Sequence, residues 1–271
     1  MKTVSKFIVL ISSMIIVISC SNAQKKQKNY VSSKVALKID TITEHFYLAE
    51  EIKFDSIASG LNFKAGKSYH TDKSKIEKQR LDLSIKYKNT LDTIAKNELL
   101  SAASEIFKNE LLNTIIPHWY ETVWDFNGHT SKPNQGTIAC GYFVSTTLRD
   151  MGLHLNRYKL AQQGPENEAK SIAINSNALL NFSEDTISEQ IKKLEDGVYF
   201  IGLDNHVGYL YINNSNSYFI HSNYIDGKVM IEYTLHSDAF NSHNYYISKI
   251  TGNTLLIEKW LKKEEIKIET N

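Results

Sequence analysis

Residues 206–223 read His206-Val207-Gly208-Tyr209-Leu210-Tyr211-Ile212-Asn213-Asn214-Ser215-Asn216-Ser217-Tyr218-Phe219-Ile220-His221-Ser222-Asn223. Aromatic and β-branched residues fill both flanks, and the Asn/Ser cluster at 213–216 marks a hairpin turn. If Ile212 pairs with Ser217 across that turn, Gly208 falls opposite His221 and His206 opposite Asn223. His206, Gly208, His221 and Asn223 then share one face of the sheet. His206 and His221 become diagonal neighbours, and Gly208 leaves room between them. A slip of one residue would undo this arrangement.

The period of two extends outward from the hairpin. Val198–Leu203, Val229–Leu235 and Tyr245–Ile250 join His206–Ile212 and Tyr218–Asn223 to predict a short antiparallel sheet of about five strands. Upstream the period turns helical. From Asp72 to about Tyr120, Leu99, Leu100, Ala103, Ile106, Phe107, Leu111 and Leu112 recur at spacings of three and four until Pro117 stops the run. Trp124–Gly136 is punctuated as a loop. A helix follows from Cys140 to Met151, with Phe143, Val144, Leu148 and Met151 as its stripe and Gly152 to close it. The chain then reads as loop-rich to about Asn181. Thr186 and Glu189 fit a capping box for a short helix, and Thr254–Lys263 fits a last helix capped from Thr251 or Asn253. Helices first and strands after define an α+β protein.

The first residues carry an address. Lys2 and Lys6 precede the apolar run Phe7–Ile18, whose 12 residues fall short of the roughly 20 a bilayer span requires. A secretory signal is expected over 1–19. Val17-Ile18-Ser19-Cys20 resembles a bacterial lipobox, which implies lipidation of Cys20 and a membrane attachment through that lipid. A cut after Ala23 is the alternative and would release the protein. Residues 20–29, with Lys25, Lys26 and Lys28 among Gln and Asn, form a polar tether. Removing 1–19 takes out two lysines and no acid, leaving 29 positive against 30 negative residues. That balance excludes a basic nucleic-acid binder and a polybasic membrane mechanism.

Cys140 stands where loop becomes helix. A helix N-terminus offers unpaired N–H groups and partial positive charge, which favour a thiolate and can receive an oxyanion. Gly141 permits close substrate approach. The competing reading is an inert buried cysteine. A hairpin that supplies His206 as base and His221 or Asn223 as orienter favours the chemical one.

Ala139-Cys140-Gly141-Tyr142-Phe143-Val144, Glu195-Asp196-Gly197-Val198-Tyr199-Phe200, His206-Val207-Gly208-Tyr209-Leu210-Tyr211 and Tyr218-Phe219-Ile220-His221-Ser222 follow in that order. Together they resemble the NlpC-type cell-wall cysteine peptidases, a compact papain-like group, over about residues 93–250. The resemblance implies Cys140 as nucleophile, His206 as base and His221 as orienter, with no cofactor. It implies hydrolysis of peptide or amide bonds in peptidoglycan. The family's Tyr-x-x-Gly loop has its nearest counterpart in Trp124-Asp125-Phe126-Asn127-Gly128, so Trp124 and Asn127, with Gly141 and Tyr142, are the pocket candidates. Asn134-Gln135-Gly136 is similar to the broader papain pattern, which makes Gln135 the candidate oxyanion donor. Residues 30–92 are then a mostly helical extension and 93–271 the hydrolase domain.

Two other readings remain. Cys140 with Leu148-Arg149-Asp150-Met151-Gly152 also resembles the transglutaminase-like branch, which passes an acyl group to an amine. A binding or structural lipoprotein on an inactive papain-like scaffold is the non-enzymatic alternative. The sequence holds no zinc-ligand pair of recognised spacing and no phosphate-binding glycine loop.

Overall fold

In the computed structural model, which describes residues 59–270, the hairpin forms in the expected register. Strand β3 (Val207–Asn213) pairs with β4 (Asn216–Asn223), with Ile212 opposite Ser217 and Asn213 opposite Asn216. Asn214 and Ser215 both have positive φ, 49° and 64°. That is the two-residue turn whose twist matches flanking strands. Strands β2 (Gly197–Gly202), β5 (Lys228–Tyr233) and β6 (Asn244–Lys249) lie where alternation placed them.

The sheet has six strands in the order β1-β6-β2-β3-β4-β5, all antiparallel. The sixth, β1 (Leu179–Ser183), occupies the end of the stretch read as loop. It is a short, half-exposed edge strand with Asn181 and Ser183 among its five residues, and its partner β6 is remote in sequence. Local pattern carries little signal for such a strand.

The central strands are covered on both faces. All six residues of β2 are buried. On one face lie α3 (Cys140–Asp150) and α5 (Pro165–Ala173), which with the short α4 (Arg157–Ala161) replaces loop by helix in the stretch expected to be loop-rich. Tyr209 Oη donates to Val144 O (3.2 Å), Ser222 Oγ to Ile138 O (2.8 Å) and Ser248 Oγ to Ala169 O (2.6 Å), which fixes both helices on the sheet. On the other face Leu210, Phe219, Ile201 and Ile247 pack with Phe240 and with Ile187 and Ile191 of α6 (Glu184–Ile191). Burying each such side chain contributes roughly 1.5–3 kcal/mol.

Helix α1 (Tyr69–Asn89) and α2 (Thr93–Glu110) pack against each other and against α7 (Thr254–Lys262). Arg80 of α1 donates to the carbonyls of Trp260 and Leu261 at 3.3 and 3.0 Å. A cation there complements the negative end of α7. The expected boundary at 92/93 falls in the short turn between α1 and α2. Past α2 the chain runs through a π turn (Leu111–Ile115) into a 3₁₀ turn that contains Pro117.

Asn253 caps α7, its Oδ1 accepting from Leu256 N at 3.1 Å, and Gly152 follows α3 at φ 97°. The capping box expected at Thr186 is displaced: α6 begins at Glu184 with Ser183 at the N-cap, and Thr186 Oγ1 donates back to Ser183 O at 3.2 Å. The signal, Cys20, the tether and residues 30–58 lie outside the described residues. No helix among the described residues is long and apolar enough to cross a membrane.

Candidate active site

The mouth of the β2–β3 hairpin holds the first imidazole. Leu203 N donates to His206 O at 2.8 Å, so His206 closes the turn that opens β3. Asp204 in the same turn accepts from His243 N and Asn244 Nδ2, both at 2.8 Å, which ties the turn to the start of β6. The ladder between β3 and β4 ends at Tyr209 opposite Ile220. Beyond it, a Cβ on Gly208 would lie 2.6 Å from the Phe219 ring, 2.8 Å from Ile220 O and 2.9 Å from His221 Cβ. Only glycine lets the two strands approach this closely.

His206 and His221 meet as the register required: Nε2 of His206 is 2.7 Å from Nδ1 of His221. The chain continues from His221 Nε2 to Glu232 Oε1 at 2.8 Å. Glu232 lies on β5, diagonal to His221, because Phe219 pairs with Glu232 and His221 with Met230. Asn223 is not bonded to His206. Its Nδ2 donates to Glu232 Oε1 (3.0 Å) and Asp226 Oδ2 (2.9 Å), and Ser237 Oγ donates to Glu232 Oε1 at 2.9 Å. Asn223 thus orients the carboxylate that orients His221.

Donor and acceptor counting fixes the tautomers. A carboxylate only accepts, so His221 carries its proton on Nε2. A neutral His221 then accepts at Nδ1, and His206 donates from Nε2. Nδ1 of His206 is left with the lone pair, the nitrogen a general base needs. Both rings are at least nine-tenths out of water. Burial, then repulsion from His221, holds His206 well below the ordinary histidine value. Burial holds His221 at about 3. The Glu232 contact opposes this. Burial prevails because the ring has no exposed surface, whereas the carboxylate is partly solvated and already saturated by Asn223 and Ser237.

Cys140 is the first residue of α3, after Ala139 in extended conformation with no side-chain cap. The backbone N–H groups of Val207, Gly141 and Cys140 itself favour the thiolate. Burial and the nearby Glu168 outweigh them and push the thiol up to about 11, although the residue keeps partial exposure. The low thiol value expected for a helix N-terminus is therefore reversed, since desolvation exceeds the dipole effect. Val207 brings the thiol beside the residue that follows His206. Among the described residues no hydrogen bond joins Cys140 to His206.

The surrounding wall is aromatic. Tyr224 sits 5.2 Å from His206, centroid to centroid, and half-buried Trp124 lies 6.3 Å from Tyr224. Asn127 is exposed and closes a local turn, its N–H bonded to Asp125 Oδ1 at 2.8 Å. Tyr142 belongs to a second cluster: Arg157 lies over its ring at 5.3 Å and donates to His129 O at 2.6 Å, and Gln162 Nε2 donates to the Tyr142 hydroxyl. Gly141 packs against Ala161 O and Glu168 Oε1, which a Cβ there would meet at 3.0 and 3.2 Å. Gln135 lies on the exposed tip of the 129–138 loop, its carbonyl accepting from Thr130 Oγ1 at 2.6 Å and its side chain making no hydrogen bond among the described residues.

Two residues that the sequence did not single out thus belong here, Glu232 and Glu168. Extending the strand register past the Tyr224–Gly227 turn would have placed Glu232 beside His221. Glu168 sits in the polar helix Pro165–Ala173, and no local pattern marks it. Comparison of the chain with family models, with curated proteins and with solved structures finds no match.

Proposed function

We propose that this chain is a thiol hydrolase with a papain-like core, held at the bacterial cell envelope, that cleaves a peptide or amide bond in peptidoglycan. The observation that carries the reading is the hydrogen-bonded chain His206–His221–Glu232. It leaves His206 Nδ1 free as a base next to Val207, whose backbone N–H reaches the Cys140 thiol. Cys140 Sγ attacks the carbonyl while its proton passes to His206 Nδ1. The imidazolium that forms is steadied through His221 by the Glu232 carboxylate. His206 then gives the proton to the leaving amine, and water clears the acyl-enzyme with His206 again as base. First-turn amides of α3 are the oxyanion donors nearest to hand. The lipobox-like N-terminus would place this chemistry beside its polymer.

The test is release of fragments from purified peptidoglycan, read by mass spectrometry, by the full chain and by Cys140→Ala. Loss of about a thousand-fold or more in rate, with the melting transition retained, is expected. Fragment release at an undiminished rate by Cys140→Ala would sink the proposal.

The raised thiol value and the lack of a Cys140–His206 hydrogen bond favour a second reading, a binding lipoprotein on an inactive scaffold. It predicts co-sedimentation with peptidoglycan and no fragments from the unmodified chain.

A further inference from the structure

Glu168 is a buried acid that the hydrolytic steps above leave unused. Its residue is 2% exposed, and its Oε2 has no hydrogen-bond partner. Its Oε1 lies against Gly141, at 3.2 Å from the position a Cβ would take, so the carboxyl sits under the first turn of α3 beside the thiol. No cation pairs with it among the described residues. The titratable groups acting around it are Cys140 from α3 and Tyr209 from β3. The phenol of Tyr209 is itself engaged by Thr147 Oγ1 at 2.7 Å and Val144 O.

We propose that Glu168 is the positioning residue that governs the charge of Cys140: the two form a buried pair that carries at most one negative charge. Two anions held at the same helix turn, with no counter-cation among the described residues, repel, and the protons leave such a pair in separated steps. The attacking thiolate therefore forms only while Glu168 keeps its proton. A carboxylate at 168 keeps the thiol protonated and silent. Burial raises the proton affinity of the carboxyl until it competes with the thiol for that single charge, and the carboxylate in turn raises the thiol. Gly141 belongs to the same device, because any side chain there would push the carboxyl away from the helix turn.

This inference rests on Cys140 being the nucleophile of the proposed hydrolase, but its test needs no turnover. The experiment is the rate of alkylation by iodoacetamide against pH, on the full chain with Cys20→Ser so that Cys140 is the lone thiol. It compares this parent with the same chain bearing Glu168→Gln. Removing the charge should move the thiol midpoint down by about one pH unit or more and speed alkylation near pH 8 by about tenfold, following the thiolate fraction. Glu168→Asp, which keeps the charge, should stay close to the parent. Where the glutamine variant does not fold, Glu168→Met serves instead, and it should show the same downward shift. Superimposable profiles for the parent and the uncharged variant would overturn the proposal. A shifted midpoint in a chain that releases no peptidoglycan fragments would uphold the pair and overturn the hydrolase.

Discussion

The imidazole side and the thiol side of this site are built in opposite ways. On the imidazole side, Nε2 of His206 and both nitrogens of His221 have partners, and Glu232 Oε1 receives three donors. On the thiol side Glu168 Oε2 and Arg157 Nε are buried without partners, and burial raises both the Cys140 thiol and the Glu168 carboxyl. A saturated network is rigid and pre-organised, whereas an unsatisfied corner stores free energy that a change of charge can release. The imidazoles are held still, and the thiol is left to be switched.

The largest effect should come from cutting the two sides in turn. Glu232→Ala strips a partner from His221, Asn223 and Ser237 together, and we expect it to cost about 3 kcal/mol of stability. Glu168→Met replaces an unsatisfied buried acid with an apolar chain of similar length, and it should be neutral or stabilising. Urea unfolding of both variants measures the contrast directly. Equal losses would erase the distinction.

A smaller and graded effect should appear with pH. Burial holds the folded-state values of His206 and His221 below those of the unfolded chain, with His221 at about 3. The unfolded chain therefore takes up these protons first. Stability from the neutral rings is intact above about pH 6.5 and is lost as pH falls toward the folded values, at about 1.4 kcal/mol per pH unit for each ring. Urea unfolding at pH 7 and pH 5, with His221→Gln as the variant lacking one ring, resolves it. A profile in which stability rises as pH falls, and which His221→Gln abolishes, would mean that Glu232 overcomes burial and that His221 is an imidazolium in the folded protein.

Legibility in the sequence followed how local each contact is. The β3–β4 register could be read because a two-residue turn of Asn and Ser leaves little choice of pairing, and the His206–His221 contact came with it. Strand β1 could not, since its half-polar edge residues pair with a strand far along the chain. Glu232 looks like a solvent-side acid in a strand until β5 is set against β4. Glu168 was beyond reach, because Pro165-Glu166-Asn167-Glu168-Ala169 gives no hint of which of its two acids turns inward. The helix start at Cys140 was legible, but the sign of its thiol shift was not, because desolvation depends on what packs over the turn.

The smallest effect concerns Gln135, the oxyanion donor that resemblance to the papain pattern suggests. Its loop is pinned at the base by Ala139 N to Gly128 O at 2.8 Å and by Thr130 N to Thr137 O at 3.0 Å, and Gln135 stands on the tip beyond that pair. Gly128 keeps the base tight, since a Cβ there would lie 2.5 Å from Ile138 N. The tip is exposed, and no hydrogen bond among the described residues holds the Gln135 side chain toward the first turn of α3. Gln135→Ala should therefore change the rate of fragment release less than about twofold, whereas loss of a working oxyanion donor costs about a hundredfold or more. A hundredfold loss would show that the loop closes over bound substrate, and it would make the thiol side a moving part set against the fixed imidazole chain.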